Sequence, residues 1–342
     1  MKMININKLT LLACLIVLLA GCKNNDEEPG DKPFVFPSKV IHKIVVEPTG
    51  VKWFATDKGV VSFNGQKWTA YSDNQNLTTG KIADFVFERS SGVNKLWIGT
   101  YQGLTSFDFG ASPVTVKNFK AADSGILSDT VSAVAIDNLS TKYIGTTKGL
   151  SILKENSWIK YFGRSSEKPL VRFKISSIAT AQSGYIYATT EGGGDARFKY
   201  TDAISGETTF NRPWAWGLPS DTVYVVKTDG DEQWFGTNRG VGYHTSEFTK
   251  MDWVTYTRTE GLICDSVYAI AKDLSGAMWF GTHKGISKLN ISPTDTIWTN
   301  YTAKDGLVAN KINAIAVDAD GSLWFGTDGG ISHLKNNQWV NF

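Results

Sequence analysis

Apolar and polar positions alternate in short runs along most of this chain, and turn-forming residues rather than helical stretches separate the runs. Val267-Tyr-Ala-Ile270-Ala-Lys reads as a strand by its alternation, and Asp273-Leu-Ser-Gly276 as the turn that ends it. Residues 277–282 form a second strand, Thr282-His283-Lys284-Gly285 a turn, and Ile286-Ser-Lys-Leu289 a third strand. Thr296-Ile-Trp298-Thr-Asn-Tyr301 is a fourth, after which Asp305-Gly306-Leu307 leads into the next such unit.

That unit returns along the chain. Trp279-Phe280-Gly281-Thr282 has counterparts in Trp53-Phe54-Ala55-Thr56, Trp97-Ile98-Gly99-Thr100, Tyr143-Ile144-Gly145-Thr146, Ile186-Tyr187-Ala188-Thr189, Trp234-Phe235-Gly236-Thr237 and Trp324-Phe325-Gly326-Thr327. The threonines are spaced 44, 46, 43, 48, 45 and 45 residues apart, and a glycine follows each three places later, from Gly59 to Gly330. Four short strands in each of seven units at this period predict an all-β fold, a seven-bladed β-propeller with four antiparallel strands per blade, over residues 38–342. The small residue before each threonine, Gly or Ala in all seven copies, allows adjacent blades to approach closely, and the aromatic residues before it point to opposite faces. The first strand, Ile41-His-Lys-Ile44-Val-Val46, is of inner type and the last, Trp339-Val-Asn-Phe342, of outer type. Blade seven is therefore expected to be complete in itself, with Phe34-Val35-Phe36 as an added edge pairing.

Blade four departs from the pattern. The first strand of the other six ends near an acid (Glu47, Glu88, Asp137, Asp229, Asp273, Asp318), where blade four has Ala181. It also carries Gly192-Gly193-Gly194 and closes on Arg212-Pro213-Trp214-Ala215-Trp216-Gly217.

The residues before the repeat read differently. Lys2 and Lys8 precede an apolar run from Leu9 to Ala20, too short for an ordinary membrane span and typical of a secretory signal. Leu19-Ala20-Gly21-Cys22 resembles the bacterial lipobox, which implies lipidation of Cys22 after removal of residues 1–21. Several acyl chains give stable anchoring, since each buried methylene adds about 0.8 kcal/mol. Residues 22–37 read as a flexible tether, since the stretch from Lys23 to Pro33 is polar and without apolar periodicity. Their acidic run resembles the surface-export signal of Bacteroidetes lipoproteins. The expected location is the bacterial outer membrane, surface-exposed, with a periplasm-facing anchor as the alternative.

Charge alters the picture only by exclusion. The net +2 falls to zero once Lys2 and Lys8 are removed, with 33 basic and 33 acidic residues remaining. Nothing concentrates basic surface for nucleic acid. Of the three cysteines, Cys14 and Cys22 belong to the leader, so Cys264 stands alone in the repeat and reads as a small, half-buried residue. The four histidines (His42, His244, His283, His333) have no local metal-ligand spacing, and no cofactor is implied. Asp273-x-x-Gly276 and Asp318-x-x-Gly321 read as hairpin turns and not as calcium loops, lacking the density of oxygen ligands such loops need.

In a propeller, the turn after strand two and the crossing into the next blade share the face around the central channel. The variable positions of the Thr-x-x-Gly turns are therefore the candidate ligand contacts: Lys58, Tyr101, Gln102, Lys148, Glu191, Arg239, His283, Lys284 and Asp328. Trp214 and Trp216 join them as either loop packing or exposed stacking surface. No catalytic residue is assigned.

The string Leu-Trp-Phe-Gly-Thr-x-x-Gly-Ile-Ser at 323–332, nearly repeated at 278–287, resembles the two-component regulator propeller repeat. That resemblance implies a fold used by periplasmic sensor domains of Bacteroidetes hybrid histidine kinases, often responsive to glycan fragments. Those sensors add a second propeller, a membrane span and a kinase, so signalling through an output domain of this chain is not expected. The reading is a lipid-anchored binding module for a glycan or an envelope protein partner. The alternative is an enzyme similar to streptogramin lyases, with His283 beside Glu191 or Asp328 at the channel mouth; whether the chain is an enzyme is left open.

Overall fold

Because each strand carries its hydrogen-bonding partners next to it in sequence, pairing here is local. In the computed structural model the strands form seven sheets, each of four antiparallel strands in the order of the chain. The structure describes residues 34–71, 81–90, 93–109, 111, 114–161, 173–200, 204–210, 217–230, 232–244, 253–292 and 294–342. By contacts the chain divides into Met1–Val35 and Phe36–Phe342, and all seven sheets lie in the second unit. Among the described residues no helix is long and apolar enough to cross a membrane. Blade six shows the plan, with strands Val267–Lys272, Met278–Thr282, Ile286–Ile291 and Thr296–Tyr301 running from axis to rim. Consecutive inner strands touch one another around the ring, and that of blade seven (Ile312–Val317) touches that of blade one (Ile41–Val46).

The fold is therefore a seven-bladed propeller, and its core is a circular relay. The aromatic three residues before the turn threonine of each second strand reaches forward to the next blade. Tyr187 meets Phe235 at 6.3 Å, Trp234 meets Phe280 at 5.8 Å, Trp279 meets Phe325 at 5.8 Å, and Trp324 meets Phe54 at 5.8 Å to close the circle. Trp53 with Ile98, Trp97 with Ile144 and Tyr143 with Ala188 share the remaining core clusters. Such ring pairs contribute about 0.5–1.5 kcal/mol each beyond their buried area. The small residue permits the close approach this requires: a Cβ on Gly99 would lie 2.7 Å from Val131 Cγ1, and one on Gly281 2.7 Å from Ile312 Cγ2.

Three details differ from the sequence reading. The register of blade four places Thr190, not Thr189, opposite the first residue of its inner strand, as Thr56 stands opposite Ile41. The repeat there is Tyr187-Ala188-Thr189-Thr190, so its small position holds Thr189, whose hydroxyl lies 3.0 Å from Ser176 Oγ. The turn is one residue longer: Thr190 Oγ1 donates to Gly194 O at 2.9 Å, where Thr56 donates to Gly59 O at 2.7 Å. Secondly, the inner strands do not simply alternate, as described below. Thirdly, residues 34–40 form no strand; Phe36 instead packs edge-on against Trp68 at 4.8 Å.

Blade seven is complete, as its outer-type last strand implied. The ring closes without strand exchange, through the Lys52–Asp318 ion pair, the Asn313 Nδ2 bond to Ile41 O at 3.1 Å, and the Trp68–Phe342 contact at 5.3 Å. The acids at the ends of first strands are framework. Glu47, Glu88 and Asp273 accept from the indole N–H of Trp53, Trp97 and Trp279, and Asp137 accepts from the Tyr143 hydroxyl. Asp273 Oδ1 also accepts from Ser275 N and Ala277 N, which is the geometry of a hairpin turn.

Candidate functional site

Each inner strand opens on a buried Ile or Val and sets its next large buried apolar residue three positions later: Ile41 and Ile44, Ile82 and Phe85, Val131 and Val134, Ile175 and Ile178, Val223 and Val226, Val267 and Ile270, and Ile312, then the partly buried Ile315. Period two cannot put both on one face. The strand solves this with a β-bulge just after its first residue in every blade. The extra residue has no partner across the ladder. Those seven residues are His42, Ala83, Ser132, Ser176, Tyr224, Tyr268 and Asn313, and all seven line a single axial cavity of about 520 Å³.

The rest of the lining comes from the residue before the inner strand and the first residue of the Thr-x-x-Gly turn. These two positions lie side by side and pair across the rim. Lys174 Nζ is 2.6 Å from Glu191 Oε1, Lys311 Nζ is 2.9 Å from Asp328 Oδ2, and the Lys81 ammonium sits 5.7 Å over the Tyr101 ring. Blade one varies the theme, with His42 Nε2 2.6 Å from Asp57 Oδ1. A carboxylate only accepts, so Nε2 carries the proton and Nδ1 is left as an acceptor. Burial lowers the His42 pKa against the raising effect of that hydrogen bond, so the ring is neutral at pH 7. For Asp328, burial acts to raise the pKa, but hydrogen bonds from Asn313 and Lys311 outweigh it and hold the group below its usual range. Tyr224 and Tyr268 stand together, 4.8 Å between centroids at 33°, as one aromatic shelf. Burial, with Tyr268 and Glu191 adding to it, raises the Tyr224 pKa, so its phenol stays a donor. The cavity thus offers a tilted aromatic pair, ion pairs, hydroxyls, an amide and a neutral imidazole.

Of the residues expected from sequence, Tyr101, Glu191 and Asp328 line this cavity. Lys58, Gln102, Lys148, Arg239 and Lys284 occupy the second turn position and are exposed. Their backbone N–H groups turn inward to the Thr Oγ1 of the same turn, at 3.0–3.1 Å, and their side chains are not among the lining. His283 is exposed and lies against Cys264, Nδ1 to Sγ 3.3 Å, so it does not join Glu191 or Asp328. The histidine in the cavity is His42. Cys264 is buried. Trp214, Trp216 and Cys22 lie outside the described residues. Sequence reasoning missed the bulge residues and the lysines before the inner strands. The signal was present in the three-residue spacing of the core positions.

Comparison with known proteins agrees with the repeat. The two component regulator propeller family matches residues 306–329. No curated protein matches the chain in sequence. Among solved structures, the chain is similar to the extracellular domain of a hybrid two component system from B. thetaiotaomicron, with TM-score 0.71 and 20% identity over 88% of this chain and 39% of that one. It is similar to a streptogramin B lyase, with TM-score 0.68 and 12% identity over 90% and 96% of the two chains. A third likeness is to the extracellular domain of a one component system from B. thetaiotaomicron, with TM-score 0.50 and 18% identity over 92% and 42%. The chain thus spans well under half the length of the two regulator domains. At these identities the likeness is one of fold.

Proposed function

We propose that the chain is a ligand-binding module of the bacterial envelope, anchored by lipid at Cys22 and displayed at the cell surface, that holds a glycan in the axial cavity. One observation carries this reading: seven bulge residues, one from each blade, converge on one cavity of about 520 Å³. Cavities of this size are usual for small-molecule sites. A pyranose presents an apolar face and a ring of hydroxyls. The Tyr224–Tyr268 pair suits the first; Ser132, Ser176 and Asn313, whose own donors go to Ile175 O, Val223 O, and Ile41 O with Asp328 Oδ1, remain as acceptors for the second beside the Lys–acid pairs. The regulator domains to which the chain is similar are extracellular, which is consistent with a ligand met outside the cell.

The test is a glycan array on the full-length protein, followed by calorimetry on a Tyr224→Ala/Tyr268→Ala variant. Loss of the shelf is expected to weaken binding about tenfold or more, two aromatic contacts being worth roughly 0.5–1.5 kcal/mol each, without lowering Tm. Absence of any glycan ligand, with an envelope protein captured instead, would replace the sugar by a protein partner. The anchor has its own check: Cys22→Ala should abolish labelling by a palmitate analogue.

A second reading rests on the neutral His42 held by Asp57 inside the cavity, an arrangement able to accept a proton at Nδ1. It makes the module an enzyme. Turnover of a bound ligand that His42→Ala abolishes while binding persists would establish it.

A further inference from the structure

The turns that frame the axial mouth carry more cations than the cavity wall uses. In the lining, Lys81, Lys174 and Lys311 stand against Asp57, Glu191 and Asp328, with His42 neutral, so the wall itself balances. One residue further along the turns stand Lys58, Lys148, Arg239 and Lys284, in blades one, three, five and six, distributed around the mouth and not gathered on one side. The same position holds Gln102 in blade two and glycine in blades four and seven, so no acid answers them there. All four side chains are exposed. Among the described residues their charged groups have no hydrogen-bond or ion-pair partner, the turn bonds being made by their backbone N–H groups.

The carboxylates nearby are already engaged. Asp57 accepts from His42 at 2.6 Å, Glu191 from Lys174 at 2.6 Å, and Asp328 from Lys311 at 2.9 Å and Asn313 at 2.7 Å. In the crossings between blades, Asp129 accepts from Ala121 N, Asp265 from Arg258 N, Glu260 from Thr257 N and Asp305 from Thr302 N. Lys81 is the exception inside the cavity. Among the described residues its ammonium has no carboxylate partner and lies 5.7 Å over the Tyr101 ring. It is also close enough to His42 to act against protonation of that imidazole. An anionic group entering the mouth therefore meets cations without displacing an internal pair, whereas a cationic ligand would have to break one.

We infer, resting on the glycan reading above, that the sugar held in the axial cavity belongs to an acidic chain bearing carboxylate or sulfate groups. One such group meets Lys81 inside the cavity, and those of neighbouring sugars meet Lys58, Lys148, Arg239 and Lys284 around the mouth. The ring geometry suits this division. Tyr224 and Tyr268 come from blades five and six, and Lys81 from blade two, which stands opposite them across the sevenfold ring. A sugar lying on the tyrosines can thus turn its acid toward the ammonium. A lone hydrated lysine holds a single anion weakly, and salt screens it. Several of them spaced around one mouth act together on a chain that repeats its charge, because each contact after the first is made at high effective concentration.

The test prints acidic glycans on the array beside their neutral counterparts, desulfated or methyl-esterified, and follows the hits by calorimetry and stopped-flow kinetics on the full-length protein. Hits are expected among the acidic members, the carboxylated and sulfated arms telling which group is read, with affinity falling about tenfold or more between about 50 and about 200 mM salt. Lys81→Gln should weaken binding about tenfold, chiefly through faster dissociation. Lys58→Gln/Lys148→Gln/Arg239→Gln/Lys284→Gln should weaken it about tenfold or more through slower association, and flatten the salt dependence. All five side chains are exposed, so Tm should not move in either variant. Polyaspartate, charged but without sugar, should bind at least about tenfold more weakly than the best glycan. Hits confined to neutral glycans, or equal binding of acidic and neutral counterparts, would overturn the acidic assignment and leave the glycan reading standing. Polyaspartate binding as tightly as the best glycan, or either variant binding like wild type, would overturn it as well. No hit of either kind would sink both.

Discussion

Asp195 is the residue most at odds with its surroundings. The repeat places Val60, Leu104, Leu150, Val241, Ile286 and Ile331 at its position in the other blades, all buried. Its carboxyl is equally buried and neither oxygen has a hydrogen-bond partner. Burial pushes its pKa from 3.8 to about 8, against the opposing charge of Arg197, so the group is neutral at pH 7. Between pH about 4 and 8 the folded chain therefore keeps a proton that the unfolded chain has released. Stability should fall as pH rises through that window and level off above it. Calorimetry of wild type and Asp195→Asn at pH 5, 7 and 9 checks this: the variant should lose the decline between pH 5 and 9, and Asp195→Leu should raise Tm most at pH 9. Parallel curves for wild type and variants would contradict the raised pKa.

At the scale of the strand, the bulge and the glycine do different work within one hairpin. The bulge restores the core face after its extra residue and turns that residue to the axis, so every blade contributes at least its bulge residue to the cavity. The glycine opposite sets how near the next blade can come. A methyl on Gly281 would meet Ile312 Cγ2 at 2.7 Å and Ala269 Cβ at 3.1 Å, both inside the packed core. Gly281→Ala is expected to cost about 1–3 kcal/mol as overpacking, measurable by urea denaturation, whereas Gly276→Ala meets nothing within 4 Å and pays only for its φ of +88°. Equal penalties at the two positions would show that blade spacing is not what the small residue protects.

For the whole molecule, the notable property is closure without strand exchange. Every sheet is contiguous in sequence, and the two ends of the ring meet through side chains. Phe36 and Phe342 pack on the same indole, Trp68, at 4.8 and 5.3 Å. Cutting between blades therefore removes no strand from any sheet. A circular permutant joining residue 342 to residue 36 by a short glycine-serine linker, with new termini in the exposed crossing at 303–305, should fold to the same far-ultraviolet dichroism with Tm within a few degrees of the parent. A permutant that fails to fold would show that the ring needs the covalent link between blades six and seven.

Blade number, strand count and framework were legible in the sequence. A propeller repeats one local unit, and local pairing leaves its signature in every copy: the aromatic pair, the small residue, the threonine that caps its turn at Gly285. The turn after strand two was the expected place of ligand contacts, and three of the residues named from it, Tyr101, Glu191 and Asp328, line the axial cavity. Blade four was misaligned by one residue because Thr189 and Thr190 are adjacent and three glycines follow; register, which needs the partner strand, resolves it. What only the tertiary structure decided is which side chains meet. His42 and not His283 reaches the cavity, because a bulge turns one inward while the other rests on Cys264. Periodicity records what each blade repeats; convergence on an axis is a property of the closed ring, in which residues from opposite ends of the chain become neighbours.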